Sequence, residues 1–283
     1  MEARVGETYW KRVLVFYIPL FMFLVALLFP FYWMVIASVK PDAELYNLQS
    51  NPFLVRDITF SHWIYLFTET LFPRWALNTL FIAVLSTGLS LFCGVLAGYS
   101  LSRMRYPGST GIGVGIFVTY LVPPSLLFIP LADVIKTMHL MDSPLALILS
   151  YPTILVPFST WLLMGYFKTI PRELEECARI DGATRFQAFY RIILPLAVPG
   201  ILSAGIFAFT LSWNEYLFAL VFLSSPESKT VPVGVVSELI KGDVFFWGSL
   251  MAGALFGSVP IAVIYSFFVE YYVSGLTGGA VKG

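Results

Sequence analysis

The 283 residues carry 17 Lys and Arg against 17 Asp and Glu, and 58% of them are hydrophobic, with a mean hydropathy of +0.81. So large an apolar excess has to face something other than a soluble core, and the zero net charge argues against a nucleic-acid partner. The composition is that of an all-α membrane protein.

Six runs are nearly free of charge: Val13–Val39, Trp75–Ser102, Ile112–Ala132, Leu145–Phe167, Leu196–Phe222 and Trp247–Val269. Each exceeds the roughly 20 residues that a helix needs to cross the hydrocarbon, so six transmembrane helices are expected. The first run is far longer than the apolar core of a secretory signal, and no small-x-small cleavage site precedes Lys40; it is expected to remain as a span.

Lys and Arg set the orientation. With the N-terminus inside, the inner segments hold Arg4, Lys11, Arg12, Arg103, Arg105, Lys168, Arg172, Arg179, Arg185, Arg191 and Lys282, whereas the outer loops hold Lys40, Arg56, Arg74, Lys136, Lys229 and Lys241. Both termini are therefore expected to be cytoplasmic. Three regions follow: residues 1–70, the first span and its outer loop; 71–272, the main transmembrane domain with a charged inner loop at 168–195; and 273–283, a cytoplasmic tail.

In the first outer loop, Trp63, Tyr65 and Phe67 mark either a helix at headgroup level or a contact surface. Cys93 lies in a span and Cys177 in an inner loop, so no disulfide is expected; His62 and His139 lack companions at ligand spacing, so no metal is expected either. Pro123, Pro124 and Pro130 in the third span, and Pro152 and Pro157 in the fourth, remove backbone hydrogen bonds inside the membrane. Such breaks fit either packing kinks or a pathway, and with the latter reading Tyr120 and Ser125 would line it.

The inner loop 168–195 is the most charged stretch of the chain. Pro171 suits a first helical turn, and Glu173, Glu175 and Glu176 place negative charge at the favoured end of the helix dipole. Leu174, Cys177 and Ala178 form one small face, Gly182 reads as a left-handed C-cap, and Phe186, Phe189, Tyr190 and Ile193 share a second face before Pro195 opens the fifth span. Two short amphipathic helices around a glycine elbow are expected. Periodicity leaves open whether they lie on lipid headgroups or in a protein socket.

Glu215 is the one charge well inside a span, beside Asn214 and between Trp213 and Tyr216. This group suits either the lining of a path for a hydroxyl-rich solute or hydrogen bonds to neighbouring helices. Asp133 and Glu270 stand at span ends and are expected to reach water. In the outer loop Ser224–Phe246, Pro226, Pro232, Gly234 and Gly242 are expected to impose turns. No Lys or Arg falls inside a span, which favours a neutral solute.

Glu176-Cys177-Ala178, Gly182 four residues on, and Ile192-x-Leu194-Pro195 after nine more resemble the EAA motif of permease subunits of binding-protein-dependent ABC importers. Only its middle Ala is replaced, by Cys177. The C-terminal "GLTGGAVKG" and the stretch "LSWNEYLFAL" at 211–220 are similar to the smaller-loop permease of carbohydrate importers of the maltose type. The resemblance implies a type I ABC importer permease fold in a bacterial or archaeal cytoplasmic membrane. It implies that Glu176, Cys177, Ala178, Asp181, Gly182, Ala183, Phe186, Phe189, Ile192, Leu194 and Pro195 couple to an ATPase. It further implies a paralogous permease, two ATP-binding subunits that use ATP and Mg, an extracytoplasmic binding protein and a sugar substrate, with no cofactor in this chain.

The sequence has no G-x-x-x-x-G-K-[ST], and the Gly-rich run Gly108–Gly115 lacks the lysine a phosphate needs. A self-contained secondary transporter, the competing class, would bring more spans, repeats and buried ionisable groups. A membrane enzyme would need a nucleophile paired with a base, which no cluster here offers.

Overall fold

A computed structural model describes residues 10–104 and 106–277. Arg4, Arg105, Lys282, the side chain of Glu270 and the end of the tail signature lie outside the described residues.

The chain is helical almost throughout. In order it forms α1 (Trp10–Val39), α2 (Ser61–Thr68), α3 (Phe72–Arg103), α4 (Ser109–Tyr120), α5 (Pro124–Thr137), α6 (Pro144–Thr169), α7 (Glu173–Ile180), α8 (Arg185–Leu196), α9 (Val198–Trp213), α10 (Leu217–Phe222) and α11 (Val231–Leu239). A two-stranded hairpin of β1 (Ile240–Lys241) and β2 (Val244–Phe245) then leads into α12 (Trp247–Thr277). Four of these helices are long and apolar enough to cross a membrane, and six spans result when each of two bent pairs counts as one. The helices cluster into two compact units, Met1–Thr70 with Val235–Ser258 and Leu71–Gly234 with Val259–Gly283.

In the first unit, α1 buries only Ile36, Ala37 and Ser38, so its other apolar turns point outward as lipid-facing residues do. Lys40, though 3% exposed, has partners: its Nζ donates to Asn51 O at 2.9 Å and pairs with Glu44 at 3.7 Å. The aromatic cluster of the first outer loop forms α2, where Tyr65 stacks on Phe246 at 5.9 Å and Phe67 meets Phe256 edge-on. Gly242, at φ +62°, makes the hairpin turn as expected. Pro232 and Gly234 do not impose turns; they lie in α11, where Pro232 sits at the start and needs no intrahelical N–H bond.

The second unit is built around α3, α6 and α9. Their close approach rests on small residues: a Cβ on Gly94 would stand 2.8 Å from Ser159 Cβ, so only glycine lets α3 lie this near α6. The buried Ser86 and Ser212 hydroxyls bond across α3 and α9 at 2.8 Å. One core gathers Ile82, Leu147, Tyr151, Phe218 and Phe222. A second gathers Tyr99, Leu163, Phe167, Phe189 and Ile193 at the end where the charged loop joins.

Two expected spans are not single helices. The third is broken at Leu121–Pro123, and α4 and α5 meet at a bend of 98°. Consecutive prolines explain this, because Pro124 forces Pro123 into an extended backbone, observed at ψ 132°. The fifth ends its regular helix at Trp213 and resumes at Leu217, with Asn214, Glu215 and Tyr216 between. The fourth runs through Pro152 and Pro157 without a comparable break.

Candidate functional site

The charged inner loop folds as a helical hairpin with both facing helix ends satisfied. α7 begins with Glu173, Glu175 and Glu176 in its first turn and ends with Arg179 in its last, which complements the helix dipole at both ends. Gly182 takes φ +89°; its N–H donates to Arg179 O at 3.2 Å and the Ala183 N–H to Ala178 O at 2.9 Å. This is a Schellman closure, and Asp181 is its C-cap. One residue later Thr184 caps α8: its Oγ1 accepts from Gln187 N at 3.2 Å while Gln187 Oε1 accepts from Thr184 N at 2.8 Å. That reciprocal pair is readable as Thr-x-x-Gln, a signal passed over in the sequence reading. Two caps in four residues make a stiff elbow.

The two faces of the hairpin differ from the expected ones. On α7, Ala178 is buried while Leu174, Cys177 and Glu176 are exposed. On α8, Phe189 and Ile193 are buried, but Phe186 and Tyr190 are 72% and 61% exposed and stack on one another. The four apolar residues therefore form two stripes, each joined by an i, i+4 step, and not one face. Phe189 packs 4.4 Å from the Tyr99 ring and roots α8 in the core of α3 and α6. Ile192 and Leu194 are half-buried on the same core, Ala183 is half-buried, and Asp181, Gly182 and Pro195 are exposed. Beside the hairpin, the nearly buried Arg103 donates from Nη2 to the carbonyls of Phe167 and Ile170, placing a cation at the C-terminus of α6. No sequence pattern pointed to Arg103, because its partners lie more than sixty residues away.

The candidate pathway residues occupy the two breaks. Tyr120 ends α4, packs on Phe158 at 5.5 Å and lines a cavity of about 230 Å³ with Thr119, Pro124, Thr153, Ile154 and Leu211. Ser125 is exposed in the first turn of α5. Trp213 is buried and stacked on Phe209, and Tyr216 is exposed. Asn214 donates from Nδ2 to Thr210 O at 2.9 Å, closing the end of α9. The Glu215 carboxylate accepts from the N–H groups of Phe218 at 2.7 Å and Ala219 at 3.1 Å, and from the Tyr151 hydroxyl at 2.9 Å. Its carboxyl group thus caps α10 and ties the break to Tyr151 of α6.

At the opposite end of this unit, Asp142 clamps the 222–228 segment. Its N–H donates to Phe222 O at 2.8 Å, its Oδ1 accepts from the N–H groups of Ser224 and Ser225 at 2.9 Å each, and its Oδ2 accepts from the Ser225 hydroxyl. The Ser225 hydroxyl, seconded by the backbone donors, holds this carboxyl below the usual aspartate range. Trp75 Nε1 donates to Pro226 O at 2.7 Å and Asn78 Nδ2 to Glu227 O at 2.8 Å, so α3 holds the same segment.

The family described as "Binding-protein-dependent transport system inner membrane component" matches residues 90–278. The inner membrane ABC transporter permease protein YcjP of Escherichia coli (strain K12) is 36% identical over 270 residues, covering 95% of this chain and 96% of its own. The trehalose/maltose transport system permease protein MalG of Thermococcus litoralis is 32% identical, covering 98% of this chain and 99% of its own. Among solved structures, a chain of a bacterial ABC transporter involved in the import of the acidic polysaccharide alginate aligns with a TM-score of 0.81 at 23% identity. That alignment covers 93% of this chain and 97% of the other, and it shows a shared fold.

Proposed function

This chain belongs to the family of binding-protein-dependent transport system inner membrane components, and we infer from that premise that it is the membrane subunit of an ATP-driven importer for a sugar. The observation that carries the mechanism is the capped hairpin at 173–196: its exposed Phe186–Tyr190 stripe is free for a partner while Phe189 roots it in the membrane core. One of two ATP-binding subunits would seat on that stripe, and the pair would use ATP and Mg. A displacement of the stripe would move α8 as a body, because the elbow is closed at both ends, and α8 would carry α3 and α6 with it. A paralogous permease would complete the pore, and an extracytoplasmic binding protein would deliver the solute.

The solute class follows from the relatives and the spans. MalG is named for trehalose and maltose. Among the described residues, the Lys and Arg of the four long apolar helices, Lys11, Arg12, Arg74, Arg103 and Lys168, all lie in a first or last turn, and Lys40 stands just beyond the end of α1. A neutral oligosaccharide, disaccharide or polyol needs no cation along its route. In this reading Tyr120, Ser125, Trp213, Asn214, Glu215 and Tyr216 would be the residues of this subunit that meet it. The alginate importer serves an acidic polymer on a similar fold, so the test includes both kinds of solute. The complete complex in proteoliposomes, given binding protein loaded with a neutral or an acidic sugar, should raise its ATPase rate for the neutral one. Stimulation by acidic sugars alone would overturn the neutral assignment.

A further inference from the structure

A second feature of the hairpin is not needed for any of these roles. Between α3, α7 and α8 lies a cavity of about 330 Å³ lined by Arg103, Arg172, Arg179 and Arg185, with Glu175 and Glu176 as the opposing charges. Four guanidinium groups against two carboxylates leave two positive charges in excess.

We propose that this cavity binds a phosphate group. Arg103 is fixed in place by the Phe167 and Ile170 carbonyls and its side chain is 2% exposed, yet its Nε and Nη1 have no hydrogen-bond partner among the described residues. The nearest carboxylate oxygen, Glu175 Oε1, stands 3.9 Å from Nε, beyond hydrogen-bond reach, and is itself unpartnered. Buried guanidinium donors are ordinarily satisfied, and a ligand that met those of Arg103 while also reaching the exposed Arg172, Arg179 and Arg185 would have to be rich in acceptors. A phosphate monoester presents three strong acceptor oxygens and a charge near −2, which matches the charge excess, and arginine forks pair with it in two-pronged fashion.

The site draws on three elements. Arg103 ends α3, Arg172 caps the start of α7, Arg179 stands in its last turn, and Arg185 opens α8. A phosphate group held here would tie the end of a membrane span to both helices of the coupling hairpin, and so would tune how freely the hairpin moves. Its source is either a soluble phosphate ester or the headgroup of an anionic lipid.

The test uses the full-length chain with its paralogous permease, purified in uncharged detergent, and radiolabelled orthophosphate in equilibrium dialysis. A parallel arm uses native mass spectrometry of the same pair from bilayers containing phosphatidic acid, whose headgroup is a phosphate monoester. One phosphate bound per chain is expected, weakened at least tenfold in the exposed-residue double variant Arg179→Gln/Arg185→Gln and again in Arg103→Lys. Retained phosphatidic acid that free phosphate displaces would assign the site to lipid and still support it. Absence of both ligands, or binding unchanged in both variants, would overturn the proposal. So would phosphate binding that vanishes when the ATP-binding subunits assemble, since the cavity would then be a socket for protein.

Discussion

The Tyr151 hydroxyl donates a 2.9 Å hydrogen bond to Glu215, whose other oxygen caps Phe218, so one carboxyl group joins the break in the fifth span to the fourth. Glu215→Ala should leave a buried hydroxyl and two N–H groups without their acceptor, at a cost of about 1–3 kcal/mol for each group that finds no substitute. Tyr151→Phe removes a single hydrogen bond, worth about 1 kcal/mol. Thermal unfolding of the detergent-solubilised complex should therefore rank wild type above Tyr151→Phe and Tyr151→Phe above Glu215→Ala. Equal midpoints for all three would remove Glu215 from any part in the fold.

The buried and exposed stripes of α8 should separate stability from function. Phe189→Ala removes a ring packed on Tyr99 and should cost about 3–5 kcal/mol, seen as lost expression or a lowered unfolding midpoint. Phe186→Ala removes an exposed ring and should leave the midpoint unchanged. It should lower sugar uptake all the same.

Much of this was legible in the sequence. The spans were readable because lipid imposes charge-free runs, and the elbow because glycine at positive φ is a local requirement that leaves its mark at Gly182. The two long-range relationships that organise the rest, Arg103 to Phe167 and Tyr151 to Glu215, left no such mark, since nothing in the residues themselves states which distant group they meet. The exposed Phe186 stripe was misread because periodicity groups apolar residues without saying which of two adjacent stripes the chain itself covers. The bend of 98° in the third span shows the same limit: Pro123 and Pro124 announce a break, but not its angle.

Helix contact between α3 and α6 gives a paired test. Gly94→Ala would place its Cβ 2.8 Å from Ser159 Cβ and should destabilise by about 1–3 kcal/mol through overpacking. Gly88→Ala meets nothing within 4 Å and should be neutral or stabilise by up to about 1 kcal/mol, from helix propensity. Midpoints of thermal unfolding for the two variants should move in opposite directions, or only the first should move.

The Asp142 clamp carries a pH signature. Its carboxyl is held below its ordinary value by the Ser225 hydroxyl and by backbone donors, so the ionised form favours the folded state. That contribution is fully present above the unfolded aspartate value of about 3.9 and is lost as pH falls through the lower folded value. The stability difference between wild type and Asp142→Asn should accordingly be constant near neutrality and shrink below about pH 4. A difference that grows in acid would reverse the assignment.

Orientation is testable with single cysteines in a background lacking Cys93 and Cys177. Leu48→Cys and Glu227→Cys, both at exposed positions, should react with an impermeant thiol reagent added outside intact cells. Arg179→Cys, also exposed, should react only after permeabilisation. Labelling of Arg179→Cys from outside would invert the topology.

The central claim is that the exposed stripe of the hairpin seats an ATP-binding subunit and passes its motion inward. Phe186→Asp tests it most directly, because the side chain is 72% exposed and its replacement leaves the packing of this chain intact. The measurement is sugar transported per unit time in proteoliposomes, together with the amount of ATP-binding subunit that co-purifies. Burying an unpaired carboxylate on docking costs several kcal/mol, so retention of the partner or transport should fall at least tenfold while the variant inserts normally. Wild-type transport with the partner fully retained would contradict the account and reduce residues 173–196 to a connector.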